Sequence, residues 1–237
     1  MFQFKQFLID DTHCAMKVGT DGVLLGAWAS VAGARRILDI GCGSGLIALM
    51  AAQRAETAQV VAVEIDPEAV ADARLNAARS PFSDRVEVVE ADVMRFAKDY
   101  SGQRFDCILS NPPYHQESLL PPSATRATAR HTAGGGLGFE ALLEAARLLA
   151  DADCPETRLA LILPAPALPC FLPLAALYGW HLRRRTHVVT RKGKPAKRVL
   201  LEWSLREGAL EENTLELVGT DGRRSADYTA LCEDFYL

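Results

Sequence analysis

The chain has little that would carry it into a membrane. It contains no run of about 18 consecutive apolar residues, the length a spanning helix needs. Its opening stretch, Met1-Phe2-Gln3-Phe4-Lys5, lacks the long apolar segment of a secretory leader. A cytoplasmic protein with no membrane partner is therefore expected. The six cysteines (Cys14, Cys42, Cys107, Cys154, Cys170 and Cys232) form no CxxC pair and no Cys/His set with zinc spacing. Reduced thiols and no metal site follow. No internal repeat or low-complexity linker interrupts the 237 residues, and 49% of them are hydrophobic, enough for one full core. One domain spanning 1–237, acting as a monomer, is the expectation.

Acidic residues are missing from one long stretch. Between Thr157 and Leu201 there is no Asp or Glu, while nine Lys or Arg occur. With a net charge of −4 overall, the remainder of the chain sits nine charges lower, at −13. Cations clustered without acids are the footprint of a nucleic-acid contact, although a solvated strip that discourages sheet aggregation would look the same.

Apolar, β-rich runs alternate with helical ones. Strands are expected at Arg36–Ile40, Gln59–Ile65, Val86–Glu90, Phe105–Ser110 and Arg158–Leu163, and helices at Leu46–Arg54, Pro67–Arg79 and Leu137–Ala150. Near-continuous apolar strands alternating with helices suit a parallel sheet covered on both faces. Trp180–Val189 and Arg198–Leu205 read as a hairpin with a basic tip, which would add one antiparallel strand. Residues 207–237 read as a polar tail with a weak helical pattern. The expected fold is therefore α/β and Rossmann-like, with a seven-stranded, mostly parallel sheet and a C-terminal antiparallel hairpin. It divides into an N-terminal segment 1–35, a core 36–205 and a tail 206–237.

Four places on this frame can carry chemistry. Leu38-Asp39-Ile40-Gly41-Cys42-Gly43-Ser44-Gly45 lies where a strand meets a helix, so its backbone can turn sharply and approach a ligand closely. A dinucleotide fingerprint would need a third glycine where Leu46 stands. A tight structural turn is the plainer explanation. Glu64 ends the second strand, where a carboxylate can accept from ribose hydroxyls or stand solvated. Asp92 follows the third strand and could accept from an adenine amino group or simply cap a helix. After the fourth strand comes Asn111-Pro112-Pro113-Tyr114. Two prolines stiffen that corner and remove two donors, leaving the Asn111 side-chain oxygen and the Pro112 carbonyl as acceptors beside a tyrosine ring. Such a corner suits a planar NH₂ group, whereas a plain Asn-Pro turn would suit nothing.

Together the four places resemble the class I methyltransferases with an NPPY motif, over about residues 15–205. The family includes adenine-N6 and guanine-N2 methyltransferases of nucleic acid and glutamine-N5 methyltransferases of release factors. The resemblance implies S-adenosyl-L-methionine as cofactor, held by Lys17, Thr20, Asp21, Asp39, Gly41, Gly43, Gly45, Glu64, Ile65, Asp92, Val93 and Asn111. It implies Asn111, Pro112, Pro113 and Tyr114 as the catalytic corner. The segments Phe4–Phe7, Cys14–Gly22, Leu24–Trp28, Gly179–Arg183 and Tyr228–Leu231 are similar to one bacterial subfamily, which methylates N6 of the adenine just 3′ of the anticodon of a valine tRNA. Cys42 departs from the family pattern, which has a small residue there.

The residues themselves favour RNA over the alternatives. Only about 35 residues precede the first strand, with no large helical domain for gripping a release factor and no inserted DNA-recognition domain. Arg183, Arg185, Arg191, Lys192, Lys194, Lys197 and Arg198 could follow a phosphate backbone, and Arg126 and Arg130 lie in the long stretch after the motif. Anticodon-loop bases are already unpaired, so presenting one to the corner costs little. A guanine-N2 RNA or glutamine-N5 protein methyltransferase and a non-catalytic RNA-binding module are the competing functions.

Overall fold

A computed structural model describes residues 1–113 and 137–237. Tyr114, Arg126 and Arg130 lie outside the described residues.

Elements form where punctuation and burial agree. A small hairpin, β1 (Phe2–Gln3) and β2 (Leu8–Ile9), precedes α1 (Thr20–Trp28). Then come β3 (Arg36–Ile40), α2 (Leu46–Arg54), β4 (Gln59–Glu64) and α3 (Pro67–Arg79). Helix α3 starts sharply because Pro67 fits the first turn and the Asp66 side chain accepts from the Glu68 amide. β5 (Val86–Glu90), α4 (Val93–Asp99) and β6 (Cys107–Ser110) follow, and Asp92 caps α4 by accepting from the Arg95 amide at 2.9 Å. After the undescribed stretch come α5 (Phe139–Leu149), β7 (Arg158–Pro164), a single 3₁₀ turn, α6 (Leu168–Leu177), β8 (His181–Val189), β9 (Arg198–Ser204), β10 (Glu211–Glu216) and α7 (Ala226–Cys232).

The main sheet runs β10-β8-β9-β7-β6-β3-β4-β5. Only β9 runs against its neighbours; β10 pairs with β8 in parallel. The expected hairpin and its one antiparallel strand are present, but the sheet has eight strands rather than seven. The eighth, β10, comes from the tail read as weakly helical. Its sequence, EENTLE, is polar because β10 is an edge strand with only Leu215 buried. What holds it is pairing with β8, where Asn213 Oδ1 accepts from Thr186 Oγ1 at 2.6 Å and Glu212 meets Arg185.

Side chains alternate across the sheet. Ile37, Ala62 and Leu109 pack with α1, α2 and α7, whereas Leu38, Ile40 and Ile108 pack with α4, α5 and α6. All six are fully buried, and each larger aliphatic among them contributes about 1.5–3 kcal/mol. A one-residue slip would therefore misplace both layers, which fixes where each strand's carboxyl end falls. Helix α1 is buried from Gly22 to Trp28. At Gly26 a Cβ would stand 2.6 Å from Met50 Sδ, so glycine lets α1 and α2 approach closely. Among the described residues, no helix is long and apolar enough to cross a membrane. No group of three or more His, Cys, Asp or Glu there could hold a metal.

Candidate functional site at the carboxyl edge

Four adjacent parallel strands, β6, β3, β4 and β5, end along one edge, and each delivers one sequence-expected residue there. The β3–α2 loop has left-handed backbone at Gly41 (φ 70°), Gly43 (φ 53°) and Gly45 (φ 82°), a conformation that side chains disfavour. Nothing lies within 4 Å of where a Gly41 Cβ would be, so the constraint there is conformational. The Gly41 amide donates to the Val63 carbonyl at 2.8 Å, fastening the loop to β4.

Asp39 lies under this loop, fully buried. One carboxylate oxygen accepts from the Ala48 amide at 3.0 Å, and the other has no partner. Burial pushes its pKa up to about 7; the Ala48 hydrogen bond opposes this and the nearby Glu64 charge adds to it. Glu64 is half-buried and already accepts three backbone amides, from Gly43 (2.9 Å), Ile65 (2.8 Å) and Asp66 (3.0 Å). It thus ties the glycine loop to the end of β4. Ile65 beside it is 63% exposed, an unusual apolar surface at a strand end. Asp92 is exposed. Val93 is buried in the core, so only its backbone can face the edge.

Asn111 follows β6, whose register against β3 sets Leu109 opposite Asp39. Ser110, fully buried, fixes the corner by donating to the Ile40 carbonyl at 2.8 Å. The Asn111 amide nitrogen donates to Met16 Sδ at 3.7 Å. Pro112 is buried and Pro113 half-buried.

The basic stretch divides. Arg183 donates to the carbonyls of Arg206, Glu207 and Ala209. Arg185 pairs with Glu212 at 2.7 Å. Arg184 lies 3.7 Å over the Trp28 ring and pairs with Glu202 at 3.2 Å. Arg198 pairs with Asp21 at 2.6 Å, so two residues expected to serve different ligands hold one another. Arg191, Lys192, Lys194 and Lys197 are exposed in the turn between β8 and β9. Because β8 runs parallel to β6 and β3, that turn lies at the same edge as Asn111 and the glycine loop.

Lys17 and Thr20 are exposed too. Lys17 donates to the carbonyls of Asp11 (2.6 Å) and Thr12 (3.0 Å), closing its own loop. Sequence reasoning missed Asp72 and Asn76, which are 3% and 2% exposed on α3 and bind the N-terminal segment. Their i,i+4 spacing among the buried Ala69, Val70, Ala73 and Ala77 was the available clue.

Residues 16–133 match the family model described as Methyltransferase small domain. The chain is 46% identical to a tRNA1(Val) (adenine(37)-N6)-methyltransferase of Tolumonas auensis, over 100% of this chain and 96% of that protein. It is 47% identical to the protein of the same name from Phocaeicola vulgatus, over 100% and 97%. Among solved structures, a predicted O-methyltransferase from Agrobacterium tumefaciens is similar with a TM-score of 0.69 and 22% identity, covering 91% of this chain and 96% of that one. That likeness concerns the fold alone.

Proposed function

Because the chain belongs to the family of the tRNA1(Val) (adenine(37)-N6)-methyltransferases, we propose that it methylates the exocyclic N6 of adenine 37 in the anticodon loop of a valine tRNA, using S-adenosylmethionine. The observation that carries this reading is the pairing of β6 directly with β3. It sets the Asn-Pro-Pro corner, made of acceptors, beside the glycine loop.

The residues present suit the cofactor. The unpartnered Asp39 oxygen is a buried acceptor suited to a cationic amine. The Glu64 carboxylate has lone pairs left for ribose hydroxyls, and the exposed Ile65 gives an apolar face for a purine. Asp92 accepts from the adenine amino group, and Val93 contributes its backbone amide. Lys17, Thr20 and Asp21 border the methionine end. When bound, S-adenosylmethionine supplies an electrophilic methyl group on a sulfonium.

This chain's own part is positioning. Asn111 Oδ1 and the Pro112 carbonyl each accept one N–H of the target amine, holding its lone pair in one direction, and stacking on the base is the role read from the sequence for Tyr114. Alignment of this kind supplies most of the acceleration, and no strong base is required. The amine proton is lost only after the new N–C bond has begun to form. Arg191, Lys192, Lys194 and Lys197 hold tRNA phosphates at the same edge. Arg183, Arg185 and Arg198 shape the hairpin that presents them.

We further read the chain as one methyltransferase unit acting as a cytoplasmic monomer, with residues 1–35 covering the cofactor. The test is incubation with labelled S-adenosylmethionine and unmodified total tRNA, then digestion to nucleosides. Label in N6-methyladenosine, mapped to the anticodon loop of the valine tRNA, is the expected result. Protein that binds the cofactor but leaves tRNA unlabelled would discard the substrate.

A further inference from the structure

Residues 10–18 form a strap between the β1–β2 hairpin and α1, and no expected cofactor contact except Lys17 lies in it. One face of α3 fastens it. Asp72 Oδ2 accepts from the amides of His13 (2.8 Å) and Cys14 (3.0 Å), and its Oδ1 lies 2.9 Å from His13 Nδ1. One turn further on, Asn76 Oδ1 accepts from the Asp10 amide at 2.8 Å. Its amide nitrogen donates to the Asp10 carbonyl at 2.7 Å and to the Ser44 carbonyl at 2.9 Å. Asn76 therefore grips the strap and the glycine loop with one side chain.

The strap's far contacts face the site. Cys14 Sγ is 3.3 Å from where a Gly43 Cβ would be, and Met16 Sδ accepts from Asn111. Internal bonds keep the strap folded, with Asp11 Oδ2 accepting from the Val18 amide at 2.8 Å and Lys17 reaching the Asp11 and Thr12 carbonyls. A buried carboxylate and a buried carboxamide whose side chains bond to strap and loop serve little local purpose on α3 itself. An alanine at either position would suit that helix better.

We propose that Asp72 and Asn76 are positioning residues, which hold the strap on the glycine loop and so preform the cofactor pocket. The proposal rests on the reading of this edge as the S-adenosylmethionine site. The two residues touch no reacting atom; they act through Cys14 and Ser44.

The test compares wild type, Asp72→Ala, Asn76→Ala and Asp72→Asn. Three quantities are measured: calorimetric affinity for S-adenosylhomocysteine, steady-state methylation of tRNA, and amide hydrogen exchange. Each alanine variant should weaken cofactor affinity about tenfold or more, the scale of a lost charge-assisted or buried hydrogen bond. At saturating cofactor, kcat and the KM for tRNA should stay within about threefold of wild type. Exchange should rise in residues 10–18 but not in β3 and β4. Asp72→Asn should keep most of the affinity, because one carboxamide oxygen still accepts both strap amides. Unchanged affinity in both alanine variants overturns the proposal. So does exchange rising equally in β3 and β4, which would make the pair merely structural. Wild-type protein that fails to bind S-adenosylhomocysteine overturns the site reading itself, and is recognised before any variant is made.

Discussion

At or just past the ends of the parallel strands β3, β4, β5 and β6 stand Asp39, Glu64, Asp92 and Asn111, all of which offer acceptor oxygens, whereas the β8–β9 turn on the same edge offers Arg191, Lys192, Lys194 and Lys197. The first group is held rigidly. Glu64 accepts three amides, Asp39 is sealed beneath a loop, and Ser110 locks the corner. The second is exposed on a turn. Chemistry that depends on tenths of an ångström sits on strand ends, and contacts to a repeating phosphate chain need only charge within reach. A third set, Arg183, Arg184 and Arg185, resembles the second in composition but is half-buried and bonded to the chain's own groups.

The sharpest way to break this contrast is at Asn111. Asn111→Ala removes one of the two acceptors proposed for the target amine. Turnover should fall by about 10²–10³, the size of losing one preorganised transition-state hydrogen bond, with cofactor affinity changing less than threefold. Single-turnover methylation and calorimetry read the two quantities. Equal losses in both would leave Asn111 with only the cofactor contact that the resemblance implies and remove its acceptor role.

Asp39 gives the next effect, read through pH. Its folded pKa of about 7 lies above the ordinary value of 3.8, because burial penalises the charged form. The neutral acid therefore stabilises the cofactor-free protein, fully below pH 3.8, and this contribution fades as pH rises through about 7. The cofactor-free Tm should drop between pH 6 and pH 8, and Asp39→Asn should flatten that drop. A cationic amine keeps the carboxylate ionised, so S-adenosylmethionine should raise Tm more at pH 8 than at pH 6. An identical pH slope in wild type and Asp39→Asn would show that the carboxyl titrates nowhere near neutrality.

The cationic turn should give a smaller, salt-dependent effect. Replacing Arg191, Lys192, Lys194 and Lys197 with Gln should weaken tRNA binding and flatten its logarithmic salt dependence by about 0.7 for each lost phosphate contact. Cofactor affinity and Tm should not move. An unchanged salt slope would put the phosphate contacts on another surface.

What could be read in the sequence follows the same division. β3, α2, α3 and β5 fall where the apolar runs and their Gly, Pro and Asp boundaries indicate. A strand buried on both faces, such as residues 60–63 of β4, leaves a run with no polar residue to blur it. Helix α1 was hidden because it is buried all round and has no apolar stripe. Helix α6 was hidden by Pro173 in its interior, which normally argues against a helix, and β10 by an exposed polar face. In the site, Gly41–Gly45 and Asn111–Pro113 are contiguous and carry their geometry in their order. Asp72 and Asn76 are not, since their partners lie 58 to 66 residues earlier, in the strap, and 32 residues earlier, in the glycine loop. Spacing alone shows that such polar residues share a helix face, not what they hold. The pairing of Arg183 and Arg185 with the chain's own groups was equally hidden, because their partners belong to the tail after β9.

Arg185 gives the smallest effect and separates the two kinds of cation. Its pair with Glu212 joins β8 to the edge strand β10 at 2.7 Å, and His187 meets the same carboxylate at 2.7 Å. Hydrogen bonds from Arg185, then from His187, hold the Glu212 carboxyl below the usual range. The Glu212 side chain is 43% exposed, so solvent screens the pair and its net contribution to stability is small. Arg185→Gln should therefore leave the urea midpoint close to that of wild type and leave tRNA affinity and its salt slope at wild-type values. If this one substitution instead lowered affinity as much as the four-residue change in the turn, Arg185 would release Glu212 on meeting RNA. The boundary between cations that build the sheet and cations that hold phosphate would then fall inside β8 rather than at its end.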